Sequence, residues 1–163
     1  RVSGEIGIQP ITEVSSTDQH GVGSIIQAVD TGTSDYGTGE FIYLKGVAST
    51  VAGDFVGYYA DGPFTTTRDI RALIGPVAIA MAATVANKFG WYQISGKAVG
   101  NVLADYAENA LVYATSTVGS IDDAVVGGDR VQNALSGSAI GTPAAGQAEF
   151  ELNRPFVDQA SAA

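Results

Sequence analysis

An all-β fold is what this sequence predicts: a small β-barrel or sandwich of short, mostly antiparallel strands with an extended N-terminal arm. Three observations point there. Gly is abundant, at 21 of 163 residues, while charged residues make up only 15%, a balance of strand-and-turn proteins rather than of helical bundles rich in Glu, Lys, Leu and Arg. Short runs of β-branched and aromatic residues recur, and Gly-Asp, Asp-Gly and Ser-Gly turns separate them at fairly even spacing. The length suits one domain, or one domain with arms, and is enough to bury a core.

Residues 1–39 are expected to form an arm and a loop. Large apolar residues are sparse there, chiefly Ile6, Ile8, Ile11, Val14 and the short run Ile25 and Ile26. The stretch from Asp30 to Gly39 gathers Thr, Gly, Ser and Asp, too little apolar area to offset backbone ordering by itself. Such an arm gains order when it lies on a neighbouring subunit.

The β core is placed at residues 40–153. From Glu40 to Val47 a strand puts Phe41, Tyr43 and Val47 on one face and Ile42 and Leu44 on the other, so both faces need cover. In Val51-Ala-Gly-Asp-Phe-Val56 the Gly-Asp turn launches a second strand through Tyr58 and Tyr59, closed by Asp61-Gly62-Pro63. The phrase returns as Val126-Gly-Gly-Asp-Arg-Val131, which suggests a recurring hairpin device. The segment 74–86 fits two readings. As a strand, Val77, Ile79, Met81 and Val85 share one face and Ala78, Ala80 and Ala82 the other. As a helix, Ile74, Val77, Met81 and Val85 align and Pro76 sits in a first turn. The strand is preferred because Ile79 falls on the wrong side of the helix. Phe89 to Ile94 makes a strand, Ser95-Gly96 a turn, and Leu111 to Thr115 another strand. Near the end Ala148, Phe150 and Leu152 face inward while Gln147, Glu149, Glu151 and Asn153 face water. The tail, residues 154–163, is small and polar at its end and is expected to fray.

The formal charge of −9 disfavours phosphate partners, and the nearest thing to a basic footprint is Arg68 with Arg71 in a loop. No nucleic-acid partner is expected. The absence of Cys excludes disulfides and thiolate metal sites. The longest apolar stretch, Ile74 to Ala86, is broken by Gly75 and Pro76 and is short of the roughly 20 residues a spanning helix needs. Arg1 to Pro10 has no sustained apolar region of the secretory kind, so a soluble chain with no membrane partner is expected.

Residues that could carry chemistry form no convincing constellation. Gly90 to Ala98 echoes a phosphate-binding loop, but its glycines are separated by five residues instead of four, Ala98 stands where Ser or Thr would hold magnesium, and its interior is bulky. His20, the one histidine, reads as a solvated loop residue with no nucleophile elbow to serve. Asp122-Asp123 and Gly128-Asp129 lack the alternating acidic spacing of a calcium loop, and Glu149 with Glu151 reads as a wet strand face rather than a glycosidase pair. Trp91, Tyr92, Tyr58, Tyr59 and Phe64 could line a ligand or partner surface. Of Trp91 and Tyr92, alternation buries one and turns the other to the second side or a neighbour. No catalytic residue, cofactor or metal is expected, and the protein is read as a non-enzyme.

Four phrases carry a resemblance: Gly39-Glu-Phe-Ile-Tyr-Leu-Lys-Gly-Val-Ala-Ser-Thr50, Phe89-Gly-Trp-Tyr-Gln-Ile-Ser-Gly-Lys-Ala98, Asp122 to Val131, and Ala148-Glu-Phe-Glu-Leu-Asn-Arg-Pro-Phe156. In them the chain resembles a family of tailed-bacteriophage capsid decoration, or cement, proteins. The resemblance implies a β-rich virion protein that adds to the outer surface of the major capsid protein lattice as a homo-oligomer, with a trimer preferred, and reinforces the expanded shell against packaged DNA. Candidate contacts with the capsid or a sister subunit are Ile6, Ile8, Pro10 and Ile11 in the arm and Arg154 and Phe156 in the tail. The rival expectation is a virion-surface binding module, such as a head fibre base or glycan-binding domain, with exposed aromatics as its platform.

Overall fold

Strands that are apolar on both faces have to lie inside a sheet that is covered on both sides, and here they form its centre. The computed structural model describes residues 8–30, 36–59, 64–71, 73–126 and 129–158. The strands are β1 (Val14–Ser15), β2 (Ile25–Asp30), β3 (Gly37–Lys45), β4 (Phe55–Tyr58), β5 (Thr66–Thr67), β6 (Gly75–Ala80), β7 (Phe89–Asn101), β8 (Tyr113–Ala114), β9 (Ile121–Asp122), β10 (Gln132–Ser136) and β11 (Gln147–Val157). No helix occurs among the described residues, and the fold is all-β. One curled antiparallel sheet runs in the order β2-β3-β7-β11-β6-β4-β5, with β1 added to β7 and β10 to β11, while β8 and β9 form a small second sheet.

The long strand β7 organises the rest. Its first half pairs with β3, from Lys45 opposite Phe89 to Glu40 opposite Ser95, and its second half pairs with β11, from Asn153 opposite Ser95 to Gln147 opposite Asn101. Ser95-Gly96 is therefore not the chain reversal expected from the sequence. Gly96 has φ +94, and a Cβ there would lie 2.9 Å from the Thr38 carbonyl oxygen. The strand continues through a local irregularity that the buried Gln93 side chain bridges, its Nε2 donating to the Ser95 and Lys97 carbonyls at 3.1 and 2.9 Å. A Cβ on Gly39 would come within 2.7 Å of the Ser95 oxygen, so glycine is required on both sides of this crossing.

Alternation along β3 and β7 sorts the core onto opposite faces. Phe41, Tyr43 and Trp91 cluster on one face, and Ile42, Leu44, Tyr92 and Ile94 on the other, with Val56, Ala78 and Ala80. Trp91 and Tyr92 thus point to opposite sides of the sheet, as alternation requires, and the second side is also covered, so both are buried. The largest cluster joins Val77 and Ile79 of β6 with Ala148, Phe150 and Leu152 of β11 and with Tyr106, Val112, Ala114 and Ile121 around the small sheet. Segment 74–86 is a strand only over Gly75–Ala80; Ile74 and Val85 lie outside it and are exposed. The strand expected at 111–115 shortens to Tyr113–Ala114.

Both ends depart from the sequence expectation. Among the described residues before 40, residues 14–15, 25–30 and 37–39 are built into the sheet: β1 pairs with β7 at Val14 opposite Gly90, and β2 pairs with β3 along its whole length. Ile11, Ile26 and Ala28 pack against Phe41, Tyr43 and Trp91, supplying the cover that this aromatic face needs. At the other end β11 does not fray at residue 154 but continues to Val157, where Phe156 faces Pro76 and Val157 faces Gly75. Burial of Pro155 and Val157 holds it there, and a positive φ at Arg154 coincides with the transfer of β11 from β7 to β6.

Candidate functional site: the N-terminal strap and the open sheet edge

Residues 8–13 cross the aromatic face as a strap fastened chiefly by Gln9. Its backbone N–H donates to His20 Nε2 at 3.2 Å, its carbonyl accepts from Trp91 Nε1 at 3.0 Å, and its side-chain oxygen accepts from the Tyr43 hydroxyl at 3.3 Å. Gln9 Nε2 closes the turn on the Glu13 carbonyl, and Ile11 adds the apolar contact.

His20 is not the solvated loop residue expected from sequence. Asp18 accepts from the backbone N–H groups of Gly21 and Val22 at 2.7 and 3.2 Å, which tightens the loop. The imidazole is set 5.3 Å from the Trp91 ring and 5.1 Å, edge-on, from Tyr43. Burial pushes the Tyr43 phenol above its ordinary pKa, with a hydrogen bond from the Gln19 backbone opposing and the Asp18 charge adding to the rise. The hydroxyl is therefore a neutral donor over the whole physiological range.

Beside the strap runs a groove of about 500 Å³, lined on one side by Ile8, Pro10 and Ile11 and on the other by Ile26, Ala28 and Val29. Strand β2 alternates exposed and half-buried residues, with Ile25 46% and Val29 55% exposed. It terminates the sheet path, so among the described residues its one strand partner is β3. The groove and the strand edge lie side by side, both bordered by Val29.

The residues singled out for shell contact fall in two places. Ile8 and Pro10 are exposed on the strap, Ile11 is half-buried beneath it, and Ile6 lies outside the described residues. Arg154 is exposed and donates to Glu40 at 2.8 Å. Its charge also opposes the rise that burial imposes on the Tyr58 phenol, and Tyr58 packs on the face opposite the strap. Phe156 is half-buried between Gln132 and Pro76. The arm and tail candidates therefore do not form one patch.

The acidic groups are largely occupied. Glu149 holds Lys97 at 3.2 Å and accepts from the Tyr36 hydroxyl at 3.0 Å, while Glu151 is exposed. Asp123 accepts the Ala107 N–H. No group of three His, Cys, Asp or Glu side chains able to hold a metal occurs among the described residues. Arg68 and Arg71 are spent on Asp54 and Asp69, each at 2.9 Å. Among the described residues no helix is long and apolar enough to cross a membrane.

The two Val-x-Gly-Asp-x-Val phrases share one hydrogen bond, in which the Asp54 and Asp129 N–H groups each donate to the carbonyl of the Val three residues back at 3.2 Å. They differ in what the carboxylate does. Asp54 is buried and ties together Arg68, Asn101 and the Val51 N–H. The Asp129 carboxylate is buried, with no hydrogen-bond partner for Oδ1 among the described residues, beside Arg71 and Asp122.

Comparison of the chain with models of known protein families and with curated proteins finds no match.

Proposed function

We infer that this protein is a structural, non-enzymatic component of a tailed-phage head. It is made in the host cytoplasm, binds the outer surface of the assembled capsid with the major capsid protein as partner, and stabilises the expanded shell. The observation that carries this reading is where the family-like phrases fall. Those at 39–50, 89–98 and 148–156 lie on β3, β7 and β11, three consecutive strands of one sheet. Three of the four phrases thus fall on neighbouring strands, while the fourth, Asp122 to Val131, begins at β9 of the small sheet.

The mechanism is linkage. A protein that binds the expanded lattice but not the unexpanded one stabilises the expanded state by its binding free energy, and repetition over the shell multiplies the effect. A net charge of −9 suits the face turned away from packaged DNA. Exposed apolar side chains at Ile8 and Val29 supply adhesive surface, and addition as a homo-oligomer, preferably a trimer, would match a threefold lattice site. The glycan-platform reading loses Trp91 and Tyr92, both of which are buried.

The test is to mix the purified protein with decoration-free shells before and after expansion and sediment them. Selective uptake by expanded shells is expected. Uptake by neither shell refutes the proposal.

A further inference from the structure

Strand β2 ends the sheet with hydrogen-bonding groups pointing outward, and their phase can be read from its inner neighbour. The Gly23 N–H donates to the Tyr43 carbonyl and the Tyr43 N–H donates to the Ser24 carbonyl, at 2.7 and 2.9 Å. With Ser24 bonded to β3, alternation in an antiparallel ladder makes Ile26, opposite Phe41, and Ala28, opposite Gly39, the next residues that bond inward. Ile25, Gln27 and Val29 therefore direct their N–H and C=O groups to the side on which β2 pairs with no strand among the described residues. Natural proteins blunt such edges with charge, proline, bulges or extreme shortness. Residues 25–29 carry no charge and no proline, and their pairing with β3 is unbroken in register. At the other end of the sheet, β5 has only two residues, the shortness that β2 lacks.

We propose that β2 is a homodimerisation edge, pairing antiparallel with β2 of a second copy across a two-fold axis through Gln27. In that register Ile25 faces the second copy's Val29, Gln27 faces Gln27, and Val29 faces Ile25. All three pairs use the outward-directed groups, giving about six hydrogen bonds at two per pair. Side chains match as well. The exposed Ile25 and Val29 cover each other on one face, and Ile26 meets Ala28 on the other, extending the apolar stripe of the aromatic cluster across the axis. The one charged residue of β2, Asp30, faces the neutral Ser24. A chain of net charge −9 thus meets its copy along a line where no like charges oppose each other. A shift by one residue would set Asp30 against Ile25 and mismatch the hydrogen-bond phase. Such an interface is isologous and closed, joining chains in pairs that stand alone or link threefold clusters.

The test combines sedimentation velocity over a wide concentration range with amide hydrogen exchange of the full chain. A reversible association is expected in which the Ile25, Gln27 and Val29 amides exchange slowly at high concentration and fast on dilution, while those of Ile26 and Ala28 stay slow throughout. Gln27→Pro removes an N–H that β3 does not use, so the fold should persist, and the dimer should weaken at least tenfold. Val29→Lys, which alters no backbone bond, should weaken it in the same direction. Monomers at every concentration with fast exchange at the three outward amides would overturn the proposal. So would slow exchange in a monomer, which would mean that another part of the chain, such as residues 1–7, covers the edge. An oligomer unaffected by both substitutions would place the interface elsewhere and overturn it too.

Discussion

Removing the Asp54 carboxylate is the sharpest test of how this fold is held together. The side chain is 2% exposed and accepts from Arg68 Nε at 2.9 Å, Asn101 Nδ2 at 3.0 Å and the Val51 N–H at 3.1 Å. It thereby ties the turn before β4 to the loop after β5 and to the end of β7. Breaking a buried ion pair by deleting one partner costs about 3–5 kcal/mol, because the other charge is left uncompensated. Here the loss falls toward the lower end. Arg68 is partly solvated and keeps its bond to the Val118 carbonyl, and Asn101 keeps the Ala52 carbonyl. Asp54→Ala should thus cost about 3 kcal/mol, which lowers Tm by roughly 6–12 °C for a domain of this size. Urea unfolding measures the free energy, and a cycle with Arg68→Met isolates the pair. The double variant should recover at least about 1 kcal/mol relative to the sum of the single losses. A loss below about 1 kcal/mol for Asp54→Ala, or additivity within about 0.5 kcal/mol in the cycle, would refute the assignment of Asp54 as the tie.

Two further outcomes follow from named groups. Burial, partly offset by Ser136 and reinforced by the Asp123 and Asp122 charges, pushes the Tyr106 phenol up to about 12. The folded state then holds its proton more tightly than the unfolded chain, so the stabilisation is complete below about pH 10 and is lost as pH rises toward 12, on the order of 2 kcal/mol. Urea midpoints from pH 9 to 11.5 should fall more steeply in the wild type than in Tyr106→Phe, and equal slopes would contradict the reasoning. His20→Phe keeps an aromatic ring beside Trp91 but removes the acceptor of the Gln9 N–H. It should cost about 1 kcal/mol and speed exchange of the Gln9 amide about fivefold, whereas unchanged exchange would show that the strap is held without that bond.

What could be read from the sequence was the part written in period two. Phe41 and Tyr43 against Ile42 and Leu44, and Phe150 and Leu152 against Glu149 and Glu151, are large side chains in strict alternation, and the sheet sorts them as that pattern requires. The Asp54 tie was not readable, because its partners lie 14 and 47 positions away and nothing local marks Arg68 or Asn101 as a donor. Nor was Gln9, whose backbone groups do much of the fastening. Strand β2 was hidden by its small and polar members, Gln27 and Ala28. One signal for it did exist. Two-sided apolar strands at 41–44 and 91–94 require cover on both faces, and the alternation of Ile26 with Ala28 was available to supply part of it.

The strap changes what remains for contact with other molecules. An arm that reaches a neighbour must leave its own body, yet Gln9 is bonded to His20, Tyr43 and Trp91 as well as to Glu13 of the strap, and Ile11 is spent on its own aromatic cluster. Of the arm candidates among the described residues, only Ile8 and Pro10 still face outward, and they border the same groove as Val29. Self-pairing through β2 therefore abuts any shell contact made by the strap, while Arg154 reaches the opposite face through Glu40, the β3 partner of Gln27, and Phe156 lies between Gln132 and Pro76. If the strap carries the shell contact, Val29→Lys should weaken dimer formation and shell uptake together. If the C-terminal strand carries it, Arg154→Ala should lower uptake while leaving the dimer intact, since its ion pair to Glu40 is exposed and contributes at most about 1 kcal/mol to the fold.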